Sequence, residues 1–267
     1  MASTIQVDGV DIHIEGDGPQ TIVMIHGWPD TWRLWDAQVA ALASTYRCVR
    51  FTVPGFDIAA RRRGLPLDEM VAFFAHVVDA VSPDRPVVLM LHDWGCVFGL
   101  QYALRHAHRV ARVVAVDVGD SGSPAVAESQ TPAQRRRVMS YQLKLALAWY
   151  IGGALGDRMT RRMARLQRAP SEAGAICATM NFPYAMRWMG ALGGLRHALA
   201  PRPVWPTLFI WGTRKTMMFH SPQWIAALQA RPDCRIVGID AGHWMMVTRA
   251  KEFNAAVLAW LGSPPSA

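Results

Sequence analysis

Three side chains in this sequence are of a type, and in a setting, that could make and break a bond to carbon. Asp93 sits in His92-Asp93-Trp94-Gly95, directly after an apolar run at residues 86–91 and directly before a helical pattern at 96–106. A strand that becomes a helix so abruptly must bend sharply, and Gly95 lets the backbone approach closely there. The residue at the apex then stands out over the end of the sheet, which is the geometry of a nucleophile elbow. An aspartate in that place can attack a saturated carbon, such as an epoxide carbon or one bearing a halogen. The product is an alkyl ester that water can cleave, whereas a serine would leave an inert ether. His243, in Ala241-Gly242-His243-Trp244, could activate that water, and Asp117 could orient the imidazole and balance its charge. Asp120, three residues past Asp117, is the reserve for that acid. The backbone N–H groups of Trp94 and Trp28 are the expected donors to the tetrahedral intermediate. This chemistry calls for no cofactor and no metal.

These groups converge if the strands before them end side by side. Residues 4–7 and 11–15 read as a hairpin turning at Asp8-Gly9. A strand at 21–25 leads into His26-Gly27-Trp28-Pro29-Asp30, followed by a helix at 32–43 and a strand at 47–51. The run Arg61-Arg62-Arg63-Gly64 reads as an exposed loop, and 66–81 as a helix. After the elbow, 112–118 reads as a buried strand that carries Asp117 near its end. From about 120 to 203 the pattern is helical, with helices expected at 131–150, 159–166, 171–180 and 184–199. The alternation resumes with a strand at 207–211, a helix at 222–230, a strand at 234–239 and a helix at 251–261. Pro264-Pro265 reads as part of a disordered tail.

Alternating strands and helices predict an α/β fold, a mostly parallel central sheet flanked by helices. The helical block predicts an inserted cap at 120–203, between core parts at 1–119 and 204–267. Of the 267 residues, 51% are hydrophobic and 18% charged, enough apolar material for a large core and too little charge for a disordered chain. No signal peptide and no membrane-spanning run is evident, and four scattered cysteines read as reduced thiols, so a cytoplasmic location is expected. The net charge of +8 comes mainly from arginine, clustered at 135–137 and 161–168. Solvated helix faces are the simplest account of it, with an anionic partner or substrate as the minor one. No nucleic-acid motif accompanies the charge. A small apolar organic molecule and water are the expected partners, and a homodimer is left open.

The motifs quoted above resemble the α/β-hydrolase superfamily, in the branch of epoxide hydrolases and haloalkane dehalogenases. His26-Gly27-Trp28-Pro29, with Trp32 and Trp35, is similar to the oxyanion loop of epoxide hydrolases. His92-Asp93-Trp94-Gly95 looks like the elbow of both families, and Ala241-Gly242-His243-Trp244 like their histidine turn. The resemblance implies an epoxide-opening hydrolase in which two cap tyrosines donate to the epoxide oxygen. Tyr141 and Tyr184 are in the corresponding sequence contexts, with Tyr150 in reserve. Two features depart from the epoxide hydrolase pattern. Gly212-Thr213-Arg214-Lys215 has lysine where the family has an aspartate, which turns the acid role to Asp117. Leu91 is bulkier than the usual glycine or alanine before the elbow, and is more like the dehalogenases. Dehalogenation would need a halide cradle, for which Trp94 with the indoles of Trp28, Trp149 or Trp188 are the candidates. Fluoroacetate dehalogenases carry arginine where Trp94 stands. A non-hydrolytic binding protein on the same fold is a further reading. His220, Lys215 and His92 read as loop or structural residues.

Overall fold

Asp8 and Gly9 both have positive φ, 49° and 72°, the backbone of a two-residue turn whose twist matches its strands. They fold β1 (Ala2–Val7) onto β2 (Val10–Glu15), with Val7 opposite Val10. In this computed structural model the described residues are 2–59 and 64–263. Arg61 to Arg63 of the predicted loop, and the Pro264-Pro265 tail, lie outside them.

The chain then alternates through β3 (Thr21–Ile25), α1 (Asp36–Leu42), β4 (Arg47–Phe51), α2 (Leu67–Val81), β5 (Val87–His92), α3 (Trp94–Arg105) and β6 (Val110–Val116). Four helices follow: α4 (Pro124–Ser129), α5 (Pro132–Ile151), α6 (Gly153–Gln167) and α7 (Phe182–Met189). The chain returns to the sheet with β7 (Thr207–Gly212), α8 (Pro222–Gln229), β8 (Arg235–Ile239), α9 (Met245–Thr248) and α10 (Ala250–Leu261). Among the described residues no helix is long and apolar enough to cross a membrane.

The eight strands lie in the order β1-β2-β4-β3-β5-β6-β7-β8. β2 is antiparallel to β1 and β4, and the other pairings are parallel. β3 and β5 are buried along their whole length, which is why they read as unbroken apolar runs rather than alternating ones. One core packs Phe51, Phe73, Phe74 and Tyr102 against one face. The other packs Met24, Trp35, Met90, Phe253 and Trp260 against the opposite face. The strand order reverses between β3 and β5, so the chain leaves their carboxyl ends in opposite directions. A crevice opens there, and Trp28 and Asp93 follow those two strand ends.

The structure corrects several predicted elements. The helix expected at 171–180 is two short 3₁₀ turns, Ala173–Ala175 and Ala178–Asn181. Cys177 between them is fully extended, and the segment has no side-chain cap to nucleate a helix. The helix expected at 184–199 stops at Met189, because Gly190 takes a left-handed conformation (φ 68°) and caps it. The helix expected at 32–43 begins as a 3₁₀ turn, Trp32–Trp35. β6 lies two residues earlier than 112–118, so Asp117 follows the strand rather than belonging to it. By contrast, α5 starts where Thr131 and Pro132 predict, with a reciprocal Thr131–Gln134 capping box.

Candidate active site

Asp93 has φ 52° and ψ −121°, a conformation that costs a non-glycine residue about 1–3 kcal/mol and survives only where the surroundings impose it. Here two backbones meet. A Cβ on Gly95 would lie 2.2 Å from the Ile25 carbonyl oxygen, and one on Gly27 would lie 2.4 Å from the Trp94 nitrogen. The loop after β3 is thereby pressed onto the elbow after β5. His26 pins that loop from behind. Its Nδ1 donates to the Gly27 carbonyl and its Nε2 accepts from the Val53 N–H, both at 3.0 Å. Burial lowers its pKa to about 4, so it stays neutral and keeps that tautomer. Leu91 fills the space above Gly99, where a Cβ would meet its methyl at 2.5 Å.

The carboxylate of Asp93 is divided between two tasks. Trp28 N–H donates to Oδ1 at 2.9 Å, and the Trp94 N–H is directed at the same carboxylate. Oδ2 faces His243, whose Nε2 is 3.6 Å away. On the far side of the ring, His243 Nδ1 donates to Asp117 Oδ2. Lys215 Nζ lies 2.6 Å from that same oxygen. The Gly212 N–H donates to Asp117 Oδ1 at 3.1 Å. Burial pushes the Asp117 carboxyl up, but Lys215 and His243 outweigh it and hold the group well below the usual carboxylate range. The Asp93 carboxyl is also lowered, the His243 contact opposing a large burial effect. Burial alone would lower His243. The two carboxylates override it and raise its pKa to about 9.

Asp120 serves elsewhere. It accepts from Ser221 N–H at 2.8 Å, Ser221 Oγ at 2.6 Å and Ser123 Oγ at 2.8 Å, which ties the loop after β6 to the start of α8. His92 lies behind the site. Its ring centre is 4.4 Å from that of His243, its Nε2 is 3.3 Å from the His243 carbonyl, and burial lowers its pKa to about 3.

Above Asp93 a cavity of about 550 Å³ is lined by Trp28, Tyr141, Tyr184, Phe219 and His243. Tyr184 stands edge-on to Trp28 and Trp94, with ring centres 5.8 and 5.3 Å apart, and Tyr141 is 6.3 Å from Tyr184. Burial raises the pKa of both tyrosines, with the Asp93 charge adding to it, so both stay protonated. Gln142 sets the direction of the Tyr141 proton. Trp188 Nε1 donates to Gln142 Oε1 at 2.8 Å, which leaves the Gln142 amide N–H to donate to the Tyr141 hydroxyl at 3.1 Å. That hydroxyl therefore accepts from Gln142 and keeps its own proton for the cavity. Tyr150 is 48% exposed on the outside and lines none of this space. The indole N–H groups of Trp28 and Trp188, considered as halide donors, are engaged by Asn181 and Gln142 at 2.8 Å.

Sequence reasoning passed over Lys215 as a loop residue. Its signal was the departure itself, a cation at the position where an acid was expected. Gln142 and Arg187 were also missed, although each is readable from its place beside a tyrosine. Gln142 follows Tyr141, and Arg187 lies three residues after Tyr184, on the same face of α7. Asn181 carried no such signal.

The model of the alpha/beta hydrolase family matches residues 22–256, and the chain belongs to that family. It is 30% identical over 154 residues to epoxide hydrolase B of Mycobacterium tuberculosis H37Rv, a match covering 53% of this chain and 43% of that protein. The chain thus matches less than half the length of that relative. It is 21% identical to epoxide hydrolase 2 of Caenorhabditis elegans over 278 residues, covering 94% of this chain and 77% of that protein. Among solved structures it is similar to an inhibitor complex of the Bacillus megaterium epoxide hydrolase, with a TM-score of 0.72 and 16% identity. That match covers 98% of this chain and 100% of the other.

Proposed function

We propose that this protein is a cofactor-independent hydrolase that opens epoxides to diols through an ester on Asp93. One observation carries the reading. A strained aspartate has one oxygen held by the oxyanion donors and the other turned to a histidine, under two protonated tyrosines. Oδ2 attacks an epoxide carbon, the carbon–oxygen bond opens, and a tyrosine hydroxyl protonates the departing oxygen. Water then adds to the Asp93 carboxyl carbon as His243 Nε2 takes its proton. The charge gathers on Oδ1, facing the N–H groups of Trp28 and Trp94. Collapse breaks the bond from the carboxyl carbon to Oδ2, which takes the proton of the added hydroxyl, so the diol leaves with Oδ2 and Asp93 is again a carboxylate. The proton on His243 returns to the tyrosine, and with the Asp93 charge restored the imidazole regains its raised resting pKa. The helices between β6 and β7 act as the cap that brings Tyr141 and Tyr184 over the nucleophile. The four cysteines, all free thiols, support a reducing compartment such as the cytoplasm.

A product panel tests the reading. Styrene oxide should give diol, and 1-bromobutane should release no bromide. Bromide without diol would select dehalogenation, and binding without turnover would select a non-hydrolytic role. Tyr141→Phe should slow diol formation by roughly 10²-fold, the usual loss for one donor to a developing oxyanion.

The two chemical steps should also differ in their pH dependence. Attack needs Asp93 ionised, and its pKa is already lowered. Water activation needs His243 neutral, and its resting pKa is about 9. Forming the ester removes the Asp93 charge, one of the two causes of that rise, so the pKa of His243 falls when the base is needed. Rapid-quench mass spectrometry should show ester formation nearly flat between pH 6 and 8. Ester decay should quicken across the same interval, with an apparent pKa below that of resting His243. A common acid limb for both steps would contradict the assignment.

A further inference from the structure

The space over Asp93 does not end at the tyrosines. A constriction of about 20 Å³, lined by Asp93, Tyr141, Tyr184 and Arg187 among others, adjoins it. The constriction shares Ser121, Gln142 and Arg187 with a second chamber of about 440 Å³. Arg135, Arg136 and Arg187 line this chamber, and among its described lining residues there is no Asp or Glu.

Among the described residues, Arg187 is the one charged side chain that lines both the constriction and the second chamber. It leaves α7 one turn after Tyr184, so the helix that presents the tyrosine also presents the guanidinium. Gly122 makes room for it, since a Cβ there would lie 3.2 Å from a guanidinium nitrogen. Among the described residues no carboxylate lies within ion-pair distance of Arg187. The Trp188 ring, 5.8 Å away, is a weak substitute. Burial lowers the pKa of the guanidinium, which marks the cost of leaving it without a counter-ion. A half-buried cation with no ion pair among the described residues, beside an open chamber, is set up for an anion that arrives from outside. Its planar fork suits a carboxylate, which it can hold through two parallel hydrogen bonds. Arg135 and Arg136, exposed at the start of α5, would draw that anion inward.

We propose that this second chamber binds a carboxylate on the substrate, gripped by Arg187, so that the preferred substrates are epoxides bearing a carboxylate beyond the oxirane. The proposal rests on the epoxide-opening reading. It adds a specificity residue and a substrate class to it.

The test compares 4-(oxiran-2-yl)benzoate with styrene oxide, which share a reacting centre and differ in charge. In the parent protein kcat/KM should favour the benzoate by roughly 10- to 100-fold, as expected for a charge-assisted pair at a half-buried guanidinium. Arg187→Met should bring that ratio close to one, and Arg187→Lys should keep part of it. Calorimetry with unreactive 4-ethylbenzoate should show binding to the parent that weakens in both variants and at high salt. A parent ratio near one, or a ratio that Arg187→Met does not move, overturns the proposal. If Arg187→Met fails to fold, the parent ratio and the Arg187→Lys comparison decide the question alone. Styrene oxide turned over without charge preference would sink this inference and leave the epoxide reading standing. If neither epoxide alkylates Asp93, both fall together.

Discussion

A chain carrying His243→Gln should gain the mass of one styrene oxide molecule, and the gain should disappear when Asp93→Ala is added. In the proposed mechanism ester formation uses Asp93 Oδ2 and a tyrosine proton, and the imidazole takes no part in it. Ester cleavage in that mechanism needs a base in reach of the water that attacks the Asp93 carboxyl carbon, and His243 Nε2, 3.6 Å from Oδ2, is placed for it. Glutamine can hold a water there but cannot take its proton. Steady turnover should therefore drop by roughly 10⁴-fold, the scale seen when a member of a catalytic triad is removed, while the first turnover proceeds. The adduct experiment belongs at pH 8, because losing His243 removes the contact that lowers the Asp93 pKa. Intact-protein mass spectrometry reads the adduct, and peptide mapping should place it at Asp93. A complementary single turnover of the parent in ¹⁸O-water should leave the label in the Asp93 carboxyl, since the diol departs with Oδ2. Label found directly in the diol would mean that water attacks the epoxide itself. The ester would then not be an intermediate.

The sheet was largely legible in the sequence because strands covered on both faces must be apolar along their whole length. Ile22, Val23, Met24 and Ile25 of β3, and Val87 to Leu91 of β5, are nearly inaccessible to solvent. The elbow was legible for a related reason. A buried strand that meets a helix with no polar linker has few backbone solutions, and Gly95 and Gly27 stand where two main chains touch. The helices between β6 and β7 were harder. Residues 171–180 pack as two separate turns, and Gly190 ends α7 ten residues early, because contacts within this segment override helical spacing. At the site, Asp93, His243 and Asp117 stood out because their side-chain chemistry is distinctive and each follows a strand. What surrounds them was not readable in the same way. That Lys215 shares the Asp117 oxygen with His243 depends on how the loop after β7 curls back over the sheet, and linear spacing holds no record of that. The orientation of Gln142, and through it the Tyr141 proton, depends on an indole 46 residues away.

Asp117→Asn should be nearly as damaging as removing the base, and its failure should look different from that of Asp120→Asn. Asp117 Oδ1 accepts from the Gly212 N–H at 3.1 Å, so an asparagine keeps its carbonyl oxygen there. Its amide nitrogen then occupies the Oδ2 position, facing His243 Nδ1 and Lys215 Nζ. An amide nitrogen can only donate, so Nδ1 must accept, and the ring proton moves to Nε2. The imidazole then presents a proton to the water it should deprotonate. Lys215 would also lose its counter-charge at 2.6 Å and place an unpaired cation beside the ring, further suppressing the imidazolium that must form. Ester cleavage should slow by roughly 10³–10⁴-fold, while the burst of ester formation survives and the adduct accumulates. Lys215→Met in the Asp117→Asn background should recover part of the loss in stability and little of the activity, because it removes the stranded charge but not the wrong tautomer. Asp120→Asn strips a carboxylate from three hydrogen bonds to Ser123 and Ser221. It should cost about 1–3 kcal/mol of stability and leave the rate of ester cleavage within a few-fold. Thermal melts and single-turnover decay of the ester read the two effects separately. Slow decay in Asp120→Asn together with normal decay in Asp117→Asn would reverse the assignment of the acid.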